Sequence, residues 1–159
     1  MRRAGLIGAA CAAALGTTLA ACGGSAHSTA ARPADTTPAK ISISGAYIPL
    51  PPSPDMAAAY FTITNNGGSA DRLVGVSSPD VQSAELDEST ATSMDSIDGV
   101  DVPGHGSAQL ARGGKHVMLM GLTPAPKVGQ QVELRLTFQH SGSVTVRATV
   151  QPLTYQPPK

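Results

Sequence analysis

The stretch QVELRLTFQHSGSVTVRATV, residues 131–150, decides the fold of this chain. Apolar and polar side chains alternate over Gln131–Phe138 and again over residues 144–150, with Ser141-Gly142 between them. Because successive side chains of a β-strand point to opposite faces, each half is predicted to be a strand with one apolar face. The Ser-Gly pair favours a turn, so the two strands are expected to form an antiparallel hairpin.

The sequence upstream of this hairpin repeats the pattern of short apolar segments separated by turn residues. Further strands are predicted at residues 41–44, 58–64, 72–76, 81–86 and 116–120. With short strands on either side of Asp98-Gly99, the total is about eight or nine. No segment has a convincing helical period. Regularly spaced short strands without helices predict an all-β fold, either a sandwich or a barrel.

Turn and breaker residues refine this prediction at three places. Asn65-Asn66-Gly67-Gly68 is a strong turn signal after the second strand. Asp98-Gly99 stands between Ile97 and Val100 and predicts a second hairpin turn. Residues 48–55 contain so many prolines that they are not expected to form a central strand, because proline has no N–H to donate.

Length and composition exclude several classes of protein. The chain has 159 residues, enough for one domain, and 41% of them are hydrophobic. Aromatic residues make up only 3%, so aliphatic side chains must fill the core. Positive and negative charges balance to a net charge of 0, which gives no electrostatic reason to bind nucleic acid.

The first forty residues are typical of an exported lipoprotein. Met1-Arg2-Arg3 and the apolar segment that follows predict a signal peptide over residues 1–21, which ends in Leu19-Ala20-Ala21 before Cys22. Cys22 is the expected lipid anchor, and an ordinary secretory signal is the alternative. Residues 22–40 are rich in Gly, Ala, Ser, Thr and Pro and predict a flexible linker. The domain is then expected over 41–152, with a tail at 153–159.

The cysteine count limits the chemistry that the domain can use. The chain has two cysteines, Cys11 in the predicted signal peptide and Cys22 at its end. The mature domain is therefore expected to have no disulfide and no free thiol. Any soft metal ion bound there would need methionine and histidine as ligands. Sequence signatures of common enzymes are also absent, so the chain is not expected to be an enzyme.

The segment His116-Val117-Met118-Leu119-Met120 carries the only distinctive pattern of potential ligands. On a strand, His116, Met118 and Met120 share one face, while Val117 and Leu119 occupy the other. Imidazole and thioether groups together suit Cu(I), which is a soft ion. Methionine is also a common core residue, so the pattern alone leaves simple packing open as the alternative.

Longer stretches of the chain resemble the periplasmic copper chaperone family called PCu(A)C. The resemblance runs through most of residues 41–151. It is carried by AAYFTITN at residues 58–65, DRLVGVSSP at residues 71–79 and, most clearly, GGKHVMLMGL at residues 113–122. The late strand pair around Ser141-Gly142 also fits. This resemblance implies a Greek-key β-sandwich similar to a cupredoxin.

The resemblance also implies a copper site. The family motif is His, ten residues, Met, twenty-one residues, then His-x-Met. Its second half fits Met94, His116 and Met118, because 21 residues separate Met94 from His116. The first histidine of the motif is missing, and local alignment puts Asp87 at its position. Met120 shares the face of Met118 but lies beyond the motif, so packing is its expected role and copper binding the alternative.

Together these features predict an extracytoplasmic copper chaperone on the outer face of the cytoplasmic membrane. The expected cargo is Cu(I), and the resemblance implies delivery to a copper protein such as the copper subunit of cytochrome oxidase. The alternative, supported by the missing histidine, is a metal-free interaction lipoprotein on the same scaffold.

Overall fold

The structure is a computed structural model that describes residues 35–158, and in this range it is all-β. The predicted signal peptide, Cys22 and most of the linker lie outside the described residues. No helix in the described range could span a membrane. The ten strands are β1 (Ile41–Pro49), β2 (Met56–Asn65), β3 (Asp71–Ser77), β4 (Ser83–Ser89), β5 (Met94–Ser96), β6 (Val100–Val102), β7 (Gly106–Leu110), β8 (Lys115–Met120), β9 (Gln131–Phe138) and β10 (Gly142–Gln151).

The strands form one curled sheet in the order β5-β4-β8-β2-β1-β10-β9-β3-β6, and β7 pairs with β2. All pairs are antiparallel except β1 with β10. Strand β2 joins the two halves of the sheet. Its first half pairs with β8 and its second half with β7, so the chain can bend between them. The all-β, cupredoxin-like prediction is confirmed by this architecture and by the structural similarities described below.

Aliphatic side chains fill the core, as the composition requires. The predicted hairpin is β9 and β10, and its register pairs Leu136 with Val144 and Leu134 with Val146. The alternating apolar residues of β9 are all buried, and so are the inward residues of β2. Burial of a large aliphatic side chain stabilises the fold by about 1.5–3 kcal/mol. These inward residues are Val132, Leu134, Leu136 and Phe138 on β9 and Ala57, Ala59, Phe61 and Ile63 on β2.

Asp71 ties the β9–β10 turn to the neighbouring strand β3. Its carboxylate accepts hydrogen bonds from the backbone N–H groups of His140 (3.0 Å) and Ser141 (2.9 Å), and from the Ser141 hydroxyl. The side chain is almost completely buried. Burial alone would raise the pKa of Asp71, but the hydrogen bonds from Ser141, Arg72 and His140 outweigh it and hold the pKa below its usual value.

The predicted hairpin at Asp98-Gly99 is wrong. Strand β5 pairs with β4, while β6 pairs with β3, so the chain crosses there from one part of the sheet to another. Arg72 on β3 bridges Asp98 and Asp101 on either side of the crossing. A Cβ atom at Gly99 would lie 2.6 Å from the Leu73 carbonyl oxygen. The glycine therefore allows a close approach to β3 and is not a hairpin residue.

The start of the proline-rich segment, residues 48–55, belongs to a central strand, contrary to the prediction. Ile48 and Pro49 belong to β1, which lies between β2 and β10, and Ile48 is fully buried. Pro49 is tolerated because it is the last residue of the strand, where Leu50 supplies the next N–H to Gln151.

Residues on both sides of 41–152 also contact the domain. In the predicted linker, Thr37 accepts a hydrogen bond from the N–H of Ser69 at 2.8 Å, and Lys40 donates to the Asn65 side chain at 3.0 Å. In the predicted tail, Tyr155 packs edge-on against Tyr47 with ring centroids 5.1 Å apart. The ordered domain in this structure therefore begins before Ile41.

Candidate metal centre

Strands β4, β8 and β2 lie side by side and present one face away from the core, here called the outer face. Directly opposed residues of paired strands share a face, so the register arranges these side chains in rows. The rows are Asp87 and His116, then Glu85, Met118 and Ala58, then Ser83, Met120 and Met56.

The alternation of β8 determines which side chains reach this face. Val117 and Leu119 point inward and are fully buried in the core. His116 and Met118 therefore point to the outer face, as the sequence predicts. They are nevertheless only 4% and 7% exposed, because neighbouring side chains cover them. Tyr60 contributes to this cover, with its ring centroid 6.2 Å from that of His116.

A backbone carbonyl fixes the orientation of the His116 ring. Nδ1 lies 3.0 Å from the carbonyl oxygen of Gly114, which is part of the Gly113-Gly114 turn before β8. The carbonyl can only accept, so Nδ1 carries the proton and donates it. Nε2 is then left with a free lone pair, which is the form of imidazole that binds a metal ion.

Asp87 lies directly opposite His116 across the β4–β8 pair and is also buried. The aspartate that the sequence predicts at the position of the missing histidine is thus next to the remaining histidine. The two side chains form no ion pair among the described residues. A carboxylate is a hard oxygen ligand, so it is a weak replacement for imidazole on Cu(I).

Met118 lies at the edge of an open, mostly apolar groove of about 400 Å³. Tyr60 and Arg112 supply its polar groups. Burial raises the pKa of the Tyr60 phenol, and the charge of Arg112 opposes that shift. Tyr60 therefore stays a neutral phenol at physiological pH and is no phenolate ligand. The rest of the lining consists of Pro49, Leu50, Pro51, Pro52, Met56, Ala57, Ala58 and Leu153.

Met94 shares the outer face but does not lie beside His116. Met94 lies on the edge strand β5, directly opposite Ser89 of β4, and β4 lies between β5 and β8. Two strand spacings separate β5 from β8, about 9.5 Å. Met94 is 57% exposed. The structure thus brings His116 and Met118 together. Met94 is separated from them by the intervening strand β4 and lies on a short, exposed hairpin.

Two further methionines lie beyond Met118 on the same face. Met120 is half-buried and lies directly opposite Met56, the first residue of β2. From the sequence, Met56 is expected to pack or to be exposed to solvent, because it lies sixty-two residues before Met118 and outside any spacing motif. Only the pairing of β2 with β8 places it near the other methionines. Four of the five methionines of the chain therefore share one face.

The remaining histidines lie elsewhere. His105 is exposed in a turn, at a backbone φ of 52°, and its Nε2 is 2.6 Å from the carboxylate of Asp35. His140 is exposed in the β9–β10 turn. His27 lies outside the described residues. Among the described residues, no group of three or more His, Cys, Asp or Glu side chains could hold a metal ion. A site on the outer face therefore depends on thioethers.

Residues 41–150 match the sequence profile of the LpqE-like lipoproteins, which covers more than half of the chain. The chain belongs to the LpqE-like family. A curated relative of the chain is the lipoprotein Lxx21020 of Leifsonia xyli subsp. xyli, which is 30% identical over 101 residues. That match covers 60% of this chain and 61% of the length of the relative.

This LpqE-like protein is also similar in structure to PCuAC domains. The copper-bound PCuAC domain from PmoF2 is 29% identical, with a TM-score of 0.62, and the match covers 72% of this chain and 95% of that domain. The Cu(I) form of DR1885 from Deinococcus radiodurans is 35% identical, with a TM-score of 0.58, over 69% of this chain and 77% of that protein. The resemblance to the copper chaperone family is confirmed.

Proposed function

We propose that this LpqE-like protein is an extracytoplasmic copper chaperone that binds Cu(I) on the outer face and transfers it to a recipient copper protein. The observation that carries the proposal is the contact of His116 Nδ1 with the Gly114 carbonyl, which leaves Nε2 available for a metal ion. Met118 shares its face, one row away. Support comes from the two similar structures above, which are described as copper-bound.

The ligand set follows from the chemistry of the side chains. His116 Nε2 supplies the one imidazole nitrogen, and Met118 supplies a thioether beside it. Met94 is the third ligand, and it reaches the ion if the exposed β4–β5 hairpin leans toward β8. Thioether sulfur prefers Cu(I) over Cu(II), so the reduced ion is the expected cargo.

This ligand set suits a carrier. A chaperone must hold copper selectively but release it to a partner, so it needs few and soft ligands near the surface. Met94 is exposed, and Met118 borders an open groove. A recipient can therefore replace the ligands one at a time without unfolding the domain. The copper subunit of cytochrome oxidase is the proposed recipient, and Cys22 is the proposed lipid anchor that keeps the protein at the membrane.

The alternative function is a metal-free interaction module. The specific observation in its favour is the Asp87 carboxylate directly opposite His116, where a Cu(I) site would favour a softer nitrogen ligand. In that case the apolar groove, and not a metal ion, would be the functional feature of the face.

X-ray absorption at the copper edge distinguishes these functions. The full chain with Cys11→Ala and Cys22→Ala removes the thiols that would otherwise compete for Cu(I). We expect one copper ion with nitrogen and sulfur neighbours, and loss of the nitrogen in His116→Ala. A spectrum with only oxygen or nitrogen neighbours would contradict the proposed ligand set.

A further inference from the structure

We infer that Met56, Met118 and Met120 form a second, all-thioether position for Cu(I), adjacent to the His116 position and sharing Met118 with it. The inference goes beyond the proposed function, because three thioethers can hold Cu(I) whether or not His116 does.

The backbone hydrogen bonds bring Met56 and Met120 close together. The N–H of Gly121 donates to the carbonyl of Asp55 at 2.9 Å, and the carbonyl of Met120 accepts from the N–H of Gln82 at 2.9 Å, so the backbone of Met120 faces β4 and not β2. Bonded and non-bonded pairs alternate along an antiparallel ladder, so Met56 and Met120 form a non-bonded pair. Side chains of such pairs approach most closely, with Cα atoms about 4.5 Å apart.

The third sulfur is also within reach. Met118 lies diagonally across from Met56, at a distance of about 7–8 Å between Cα atoms, which long side chains can span. The residue directly opposite Met118 is Ala58, whose short side chain does not fill the space between them. Met56 and Met118 both line the same groove. Each methionine has three rotatable bonds, so the sulfur atoms can converge on one ion.

The exposure of Met56 favours a ligand over a packing residue. Its side chain is 56% exposed, so burial of its apolar surface contributes little to the stability of the fold. Glu85 lies opposite Met118, and Arg112 lines the same groove, so charges of both signs lie near the position. The position thus combines soft donors with access from solvent.

The shared Met118 gives this second position a role in transfer. An ion bound by His116 and Met118 can exchange the imidazole for the sulfurs of Met120 and Met56 while it keeps one ligand. The ion then lies at the open groove, where a recipient can reach it.

Removal of the imidazole shows whether the three thioethers bind a soft ion without it. The full chain with Cys11→Ala, Cys22→Ala and His116→Ala is labelled at the methionine methyl carbons and titrated with Ag(I), a soft ion that replaces Cu(I). We expect the methyl signals of Met56, Met118 and Met120 to shift together. An unshifted Met56 signal would overturn the inference.

Affinity measurements give a second, independent result. In the His116→Ala background, Met56→Leu should weaken Cu(I) binding at least tenfold, because leucine keeps the size and loses the sulfur. Met94→Leu in the same background is the matched control and should change the affinity less. Equal losses from the two substitutions would contradict the inference. The proposed function is tested separately, by the comparison of wild type with His116→Ala.

Discussion

His116 is the residue on which the proposed copper site depends most. Among residues 35–158 it is the one imidazole on the outer face, and the contact of Nδ1 with the Gly114 carbonyl leaves Nε2 available for a metal ion. We predict that His116→Ala weakens Cu(I) binding at least tenfold, or by about 1.4 kcal/mol. Competition with a chromophoric Cu(I) chelator measures the change. His140→Ala, in an exposed turn, is the control and should leave the affinity unchanged.

Asp87 offers the converse experiment. It lies directly opposite His116, and we propose that it takes the position that the PCuAC motif gives to histidine. Asp87→His should strengthen Cu(I) binding, because a second imidazole replaces a hard carboxylate. Asp95→His is the control, since Asp95 lies opposite Glu88 and not on the outer face. If both variants bind copper as the parent does, Asp87 is not at the position of the missing ligand.

The sequence predicted the shared face of His116 and Met118, because side chains of a β-strand alternate between two faces. The strand HVMLM has only one way to alternate, so the shared face of His116 and Met118 follows from the sequence alone. The contribution of Met56 could not be predicted in this way. It depends on which strand pairs with β8 and in which register, and nonlocal packing decides both.

At the scale of elements, Asp71 links β3 to the β9–β10 hairpin. Its pKa is lower in the folded protein than in the unfolded chain, so its contribution to stability is fully present above the unfolded pKa of about 3.9. That contribution is lost as the pH falls through the folded pKa. We predict that Asp71→Asn destabilises the protein by about 2–4 kcal/mol near pH 7, because buried donors lose a charged partner.

Denaturant titrations at several pH values measure this effect. The difference in unfolding free energy between wild type and Asp71→Asn should shrink as the pH falls below about 4, where the carboxylate of the unfolded chain becomes protonated, and should be lost once the pH is below the lowered pKa of the folded protein. Asp95→Asn, on an exposed strand, is the control. A difference that stays constant between pH 7 and pH 2 would contradict the role of the Asp71 carboxylate.

A strand pair could be predicted where the alternation of apolar and polar residues and the connecting turn lie in one continuous stretch of sequence. The β9–β10 hairpin follows the alternation of residues 131–150 closely. The hairpin predicted at Asp98-Gly99 is wrong, because a glycine can serve either in a hairpin turn or where the backbone passes close to another strand. Here the pairing of β6 with β3, and the contacts of Arg72, decided between them.

For the whole molecule, we predict that the chain folds without metal. The core is continuous and aliphatic, and both cysteines lie outside the described residues. Circular dichroism of the metal-free full chain with Cys11→Ala and Cys22→Ala should therefore show a β-rich spectrum. A disordered spectrum that becomes β-rich only with copper would mean that the metal stabilises the fold itself.

The membrane anchor is a separate prediction. Cys22→Ala should abolish lipidation, because the acylated thiol is removed, and should shift the protein from the membrane fraction to the soluble fraction or leave it unprocessed. Fractionation and mass measurement in the native cell detect each result. Retention of a correctly cleaved Cys22→Ala protein at the membrane would contradict the anchor.

The central claim is that Met94, His116 and Met118 make this protein a Cu(I) carrier. The most direct measurement is competition for Cu(I) between a chelator and the full chain lacking both cysteines, with and without Met94→Leu, His116→Ala and Met118→Leu combined. We predict that the parent protein takes Cu(I) from the chelator, and that the triple variant binds at least about a hundredfold more weakly, about 2.7 kcal/mol. Equal copper retention by the two proteins would contradict the chaperone function and leave the metal-free module.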